Sequence, residues 1–234
     1  MAVSETLLPT ARRQVRTART VEAVIFVLDG TLVDSEVSYR SAFHETVRLF
    51  GQQMDDAEYA GLIGLATPDR LAMLARRFGP GFPEDDFIAE YYRRKRLNLA
   101  GRIDLKPGAR VLLDWLRARD IPMAIATASS AETACALLAK TGLSEHFATI
   151  LTRDDVQRRK PHPELFLRAA SAMGIDPDVC LVVEDSAPGI QAGYAAGMMP
   201  VLVPDLARVP LRTRLKSFAV LPDLHQVHCL LART

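Results

Sequence analysis

The 234 residues are enough for one α/β domain with a smaller inserted module, and for a sizeable buried core. With 49% apolar content, 24% charged content and a formal net charge of +1, the chain lacks the basic excess of a nucleic-acid binder. Nor does any apolar run reach the roughly 18 residues needed to span a bilayer. Cys135, Cys180 and Cys229 are odd in number and far apart, which argues against a disulfide framework and fits a reducing compartment, so a cytoplasmic protein is expected.

Residues 1–20 hold Arg12, Arg13, Arg16 and Arg19 against one acid, Glu5. A basic stretch with few apolar anchors is expected to be a flexible leader, and targeting to an organelle is the alternative reading of its arginines. Val21 to Leu28 is apolar and rich in β-branched residues, as a strand buried on both faces of a parallel sheet should be.

From Asp34 to about Leu105 only helical periodicity is visible, in "SYRSAFHETVRLFG", "DRLAMLARRFG" and "DDFIAEYYRRKRLNL". Residues 34–105 are therefore expected to form an all-helical cap, inserted into a core made of residues 21–33 and 106–234. Downstream, short apolar runs at Ile121 to Thr127, Phe147 to Leu151, Val179 to Val183 and Pro200 to Val203 alternate with helical segments. Pro107, Ser130 and Pro163 mark helix starts, and Gly142 and Gly174 mark stops. This alternation predicts an α/β fold, a doubly wound parallel sheet.

Ligands of open α/β sheets bind outside the carboxyl ends of the strands. Those ends read Asp29-Gly30-Thr31, Thr127-Ala128-Ser129 and Glu184-Asp185-Ser186, with Lys160 in the loop "RKPHPE". Carboxylates suit a hard divalent cation, while a lysine, a hydroxyl and free backbone amides suit phosphoryl oxygens. Together they predict a site for phosphate and metal.

The stretches "LDGTLVDSE", "IATASS", "RKPHPELF" and "VVEDSAPGIQAGYAAGM" resemble, in order, the four motifs of the haloacid dehalogenase superfamily, in its helical-cap branch of phosphatases and phosphosugar mutases. The resemblance covers residues 21 to 204. It implies a magnesium-dependent phosphatase of small phosphorylated metabolites that works through an aspartyl-phosphate. Asp29 would then be general acid and base and lend its backbone carbonyl to the metal. Gly30, Thr31, Thr127, Ala128 and Lys160 would hold the phosphate, and Glu184 and Asp185 the magnesium. The family's first-motif nucleophile is an aspartate, and here its place is taken by Val27. An alkyl side chain has no lone pair to donate, so the covalent intermediate cannot form there, and magnesium affinity should fall as well.

In the mutases a cap-linker histidine falls at the position of Tyr39, and a cap-loop arginine at that of Thr67. Neither is present, which disfavours a mutase. Tyr39, Thr67 and Ser129 are the expected cap-side and substrate-facing residues. The remaining alternatives are a pseudoenzyme that binds a phosphometabolite or a protein partner, and a purely structural interaction protein. A monomer or weak homodimer is expected. Gly189, Gly193 and Gly197 are read as helix-to-sheet packing, His162 as a loop residue, the pair His225 and His228 as lacking a third metal ligand, and "YYRRKR" as a solvated cap face.

Overall fold

The computed structural model describes residues 20–63, 67–99 and 101–233, so the expected leader lies outside the described residues except for its last position. Its centre is a parallel sheet of β1 (Ala23–Phe26), β2 (Met123–Ala126), β3 (Thr149–Leu151), β4 (Cys180–Glu184), β5 (Met199–Leu202) and β6 (Ala219–Val220). The strand order is β3-β2-β1-β4-β5-β6, every pairing parallel. The chain winds outward from β1 to β3 on one side, then returns to the middle with β4. Between β1 and β4 the winding reverses, and a crevice is left at the carboxyl ends of those two strands.

Alternation along β1 decides which face each residue serves. Val24 and Phe26, with Leu28 beyond the strand, pack toward Leu112, Leu113 and Leu116 of α5 (Ala109–Arg117), Leu137 and Leu138 of α6 (Ala131–Thr141) and Val227 of α10 (Leu224–Leu231). Ala23 and Ile25, with Val27, face Phe166, Ala169 and Ala170 of α7 (Glu164–Met173) and Ala192 of α8 (Ala187–Ala195). A sheet covered on both sides needs continuous apolar strands, which is why its strands were legible.

After β1 come α1 (Glu36–Leu49), α2 (Asp56–Ala60), α3 (Thr67–Phe78) and α4 (Glu84–Asn98), which bury their own apolar cluster. Phe43 lies at its middle, with ring centroids 5.1 to 5.6 Å from Tyr59, Phe87 and Tyr91. The helix α2 was not foreseen. It is a short turn held by a capping box in which Asp55 and Glu58 satisfy each other's backbone N–H.

Three further differences have simple causes. The apolar run at Val21 to Leu28 is longer than β1, because the backbone turns at Leu28, whose carbonyl accepts from Leu32 and Val33 N–H at 3.0 Å each. β6 escapes a periodicity reading because it is two residues long. In "YYRRKR" the Tyr91 ring is buried in the cap cluster, Arg94 pairs with Glu45 and Glu90, and Lys95 turns inward over the Tyr39 ring, so this helix presents more than a solvated face. A short helix α9 (Leu211–Arg214) links β5 to β6.

Candidate active site

The turn after β1 is built around Gly30. Its φ is +74°, and a Cβ there would lie 2.7 Å from Asp185 Oδ2. Only glycine both adopts this conformation at no cost and lets a carboxylate rest against the turn. The two chain segments leading into and out of the cap run side by side here, with Asp34 N–H donating to the Asp104 carbonyl at 2.9 Å and Lys106 N–H to that of Leu32 at 2.9 Å.

Asp29 stands at the centre. Its Oδ1 accepts from Ser35 Oγ at 2.9 Å and from the Tyr39 hydroxyl, and its Oδ2 from Ser129 Oγ at 2.7 Å and Thr127 Oγ1 at 3.4 Å. Donors reach it from the cap entry, from the loop after β2 and from α1. Burial, and after it the Asp29 charge, push the Tyr39 phenol far up, so it stays a protonated donor. Tyr39, Thr127 and Ser129 are thus all brought onto one carboxylate.

Lys160 and Glu184 form the second unit. Lys160 Nζ lies 2.9 Å from Glu184 Oε1 and 3.2 Å from the Ala126 carbonyl, above the Phe166 ring. Glu184 Oε2 accepts from the backbone N–H of Ser186. Both glutamate oxygens are therefore engaged within the protein. Gly189 explains how this carboxylate fits: a Cβ there would sit 1.6 Å from Glu184 Oε1. Of the three glycines read as packing positions, Gly193 does face the sheet, 3.3 Å from Pro200 Cβ, whereas Gly189 makes room for Glu184 and Gly197 serves a turn with φ +77°.

Asp185 takes a hydrogen bond from Thr31 Oγ1 at 3.0 Å. Burial, and after it the neighbouring Glu184 charge, raise its carboxyl well above the ordinary range. Close by lies Asp205, whose Oδ2 would be 3.3 Å from a Cβ on Gly30. Its other oxygen is 2.7 Å from Lys106 Nζ, which also reaches Asp34 at 3.5 Å. Asp205, Lys106 and Ser35 were missed by sequence reasoning. The strand-end rule could have flagged Asp205, three residues beyond β5.

Val27 is 6% exposed and packs with Ala124, Ala126 and Val182 on the α7 side of the sheet. Its N–H donates to the Val183 carbonyl at 3.1 Å, so the backbone continues the sheet ladder one residue past β1. Thr67 begins α3 on the cap. His162, two residues after Lys160, accepts from Glu164 N–H at 3.2 Å at the start of α7, and His228 stacks edge-on against Trp115.

A family profile described as haloacid dehalogenase-like hydrolase matches residues 24–203. The chain belongs to the haloacid dehalogenase-like hydrolases. Among its relatives, fructose-1-phosphate phosphatase YqaB of Escherichia coli is 35% identical over 176 residues, covering 75% of this chain and 92% of that one. Protein CbbY of Rhodobacter capsulatus is 33% identical over 195 residues, covering 79% and 86%. The crystal structure of a HAD family hydrolase from Deinococcus radiodurans with bound phosphate and sodium superposes with a TM-score of 0.78 at 32% identity, covering 92% of this chain and 96% of that one.

Haloacid dehalogenase phosphatases generally use Mg²⁺. The side chains here do not make up such a site: among the described residues no group of three His, Cys, Asp or Glu is placed to hold a metal ion. Val27 offers no oxygen, and those of Glu184 point at Lys160 and Ser186. Among the described residues no helix is long and apolar enough to cross a membrane.

Proposed function

We propose that this chain binds small phosphorylated metabolites, of the sugar-phosphate kind, in the crevice between β1 and β4, with the covalent route to hydrolysis closed at Val27. The observation that carries this reading is an otherwise furnished phosphate site around an alkyl group. Lys160 has a cationic head at the crevice, Thr127 a hydroxyl, and Ala128 a backbone amide, while the Ser129 N–H holds Thr127 Oγ1 at 3.1 Å. Thr31 adds a turn amide on the other side, next to Gly30, whose own N–H is given to the Val33 carbonyl at 3.0 Å. In this reading α1 to α4 are the cap that selects the ligand, with Tyr39, Thr67 and Ser129 on the selecting side.

The chemistry divides between holding and attacking. Lys160 neutralises phosphoryl charge and Thr127 orients one oxygen, so binding needs nothing from residue 27. Attack does: valine cannot accept the phosphoryl group. A water could attack in its place only with a base to take its proton. Asp29 would be that base, and its oxygens already accept from four hydroxyls. Turnover by this path should fall orders of magnitude below that of a nucleophile-bearing relative. Magnesium affinity should be weakened in parallel, because two of the expected oxygen donors are lost or engaged.

A natural pseudoenzyme would be expected to lose other site residues too, yet Lys160, Thr127 and Asp185 are in place. That favours a phosphatase altered at a single position. The test measures phosphate release from sugar phosphates, with magnesium, by this chain and by its Val27→Asp form, alongside calorimetric binding of inorganic phosphate. Binding by both forms with turnover only in Val27→Asp is expected. Steady turnover by the unaltered chain, or failure of phosphate to bind either form, would sink the reading.

A further inference from the structure

Beyond the carboxyl end of β5, residues 204–210 and α9 frame a groove of about 510 Å³ that shares no residue with the crevice. Leu202 and Val209, both buried, make its floor and pack with Ile190 of α8. Pro204 and Leu211 stand as apolar walls, and Arg208 and Arg214 line it as well. Leu211 is 71% exposed. Apolar walls left open to water keep a hydration cost that a partner's side chain would remove.

The orientation of α9 is fixed from behind. Thr213 is buried, and its Oγ1 accepts from Gln191 Nε2 of α8 at 3.3 Å, which turns Leu211 and Leu215, four apart on the opposite side, to solvent. Leu215 is 78% exposed. Charge follows the same segment. From Pro204 to Ser217 the cations are Arg208, Arg212, Arg214 and Lys216, against the single acid Asp205, which Lys106 engages at 2.7 Å. Lys216 lies over the Tyr194 ring. Among the described residues the side chains of Arg208, Arg212 and Arg214 make no ion pair or hydrogen bond. Two uncommitted guanidiniums in an apolar groove offer bidentate sites to carboxylates that flank an inserted side chain.

A second copy of the chain does not fit. Face to face, two such segments would set these cations against their own copies. The acidic stretch Glu84, Asp85 and Asp86 at the start of α4 brings no apolar anchor, because the neighbouring Phe82 ring is stacked among Phe50, Phe78 and Phe87. A bilayer is the poorer match, since a flat surface leaves a concave floor uncovered and α9 is a single turn.

We propose that this groove docks an acidic segment of another protein, with one apolar side chain seated over Leu202 and Val209 and carboxylates beside it paired to Arg208 and Arg214. Recognition of acidic motifs by clustered arginines is the mode it would use.

The test pans the full chain against a displayed library of random peptides about twelve residues long, then titrates the selected peptide, fluorophore-labelled, by anisotropy at physiological ionic strength. Enrichment of an apolar residue flanked by Asp or Glu is expected. Arg208→Glu, Arg214→Glu and Leu211→Ser should each weaken that peptide about fivefold or more, whereas Arg212→Glu, an equal charge change outside the groove, should weaken it less than about twofold. All four positions are exposed, and unchanged melting temperatures verify the fold. Selection without that pattern would overturn the proposal, as would binding that survives Arg208→Glu and Arg214→Glu. An Arg212→Glu loss equal to theirs would also overturn it, since that marks unspecific charge attraction. Sedimentation of the full chain and flotation with phosphatidylcholine–phosphatidylglycerol vesicles complete the test. Self-association or vesicle binding that Leu211→Ser abolishes would give the groove to a second copy or to a bilayer instead.

Discussion

Replacing Gly189 with alanine should be among the most damaging single-methyl changes in this protein. The new Cβ would fall 1.6 Å from Glu184 Oε1 and 1.8 Å from its Cδ, far inside any contact distance. Helix α8 is fixed by the Ser186 cap, whose Oγ accepts from Gly189 N–H at 3.2 Å, so the carboxylate must be the part that moves. Its departure breaks the pair with Lys160, whose side chain is 7% exposed against 1% for Glu184, and leaves each buried charge without its counter-charge. Breaking such a pair costs about 3–5 kcal/mol. For a chain of this size, that corresponds to a fall in melting temperature of roughly 6–20 °C. Gly193→Ala is the internal control, because its Cβ would meet Pro200 Cβ at 3.3 Å, a contact that a small shift relieves. Urea unfolding followed by circular dichroism reads both. A Gly189→Ala protein within about 1 kcal/mol of the parent would refute the placement of Glu184 and with it the account of Lys160.

Thiol chemistry gives a second check. Cys135 and Cys229 are exposed, whereas Cys180 is buried in β4 with its thiol pushed up to about 11 by burial first and Asp178 next. A chromogenic disulfide reagent at pH 8 should titrate two thiols at once and the third only in denaturant; three fast thiols would contradict the sheet. On the cap, Glu90 is held down to about 2, first by its hydrogen bond from Arg93 and also by Arg94. A carboxyl depressed in the folded state stabilises fully above its unfolded value of about 4.3, and that contribution is lost as pH falls through the folded value. Carbon-detected NMR should therefore show Glu90 ionised at pH 3, and a midpoint near 4.3 would rule out the Arg93 and Arg94 pairing.

The strand ends were legible because each is announced locally. A β-branched apolar run must stop where the backbone turns, and Asp29, Thr127 and Asp185 follow directly on such stops. The identity of residue 27 is equally local, and the valine there needs no coordinates to be seen. What surrounds those residues was not legible, since the partners are far apart in the chain. Thr127 and Ser129 lie 98 and 100 positions from Asp29, and Lys106 lies 99 from Asp205. Glu184 shows the limit most plainly: next to Asp185 in sequence it reads as a metal ligand, yet alternation along β4 sends the two side chains to opposite sides, one to Lys160 and the other to Thr31.

By itself the sequence determined the sheet, the helical segments after β1 and the motif positions, because hydrophobic periodicity and turn chemistry act over a few residues. Only the tertiary structure decided that Asp29 is held by four hydroxyls, that Gly189 is shaped around Glu184, and that Lys95, on a helix that reads as solvated, turns inward over Tyr39. Those outcomes depend on which side chains the packing of cap against core brings within a few ångströms, and no local pattern encodes such distances.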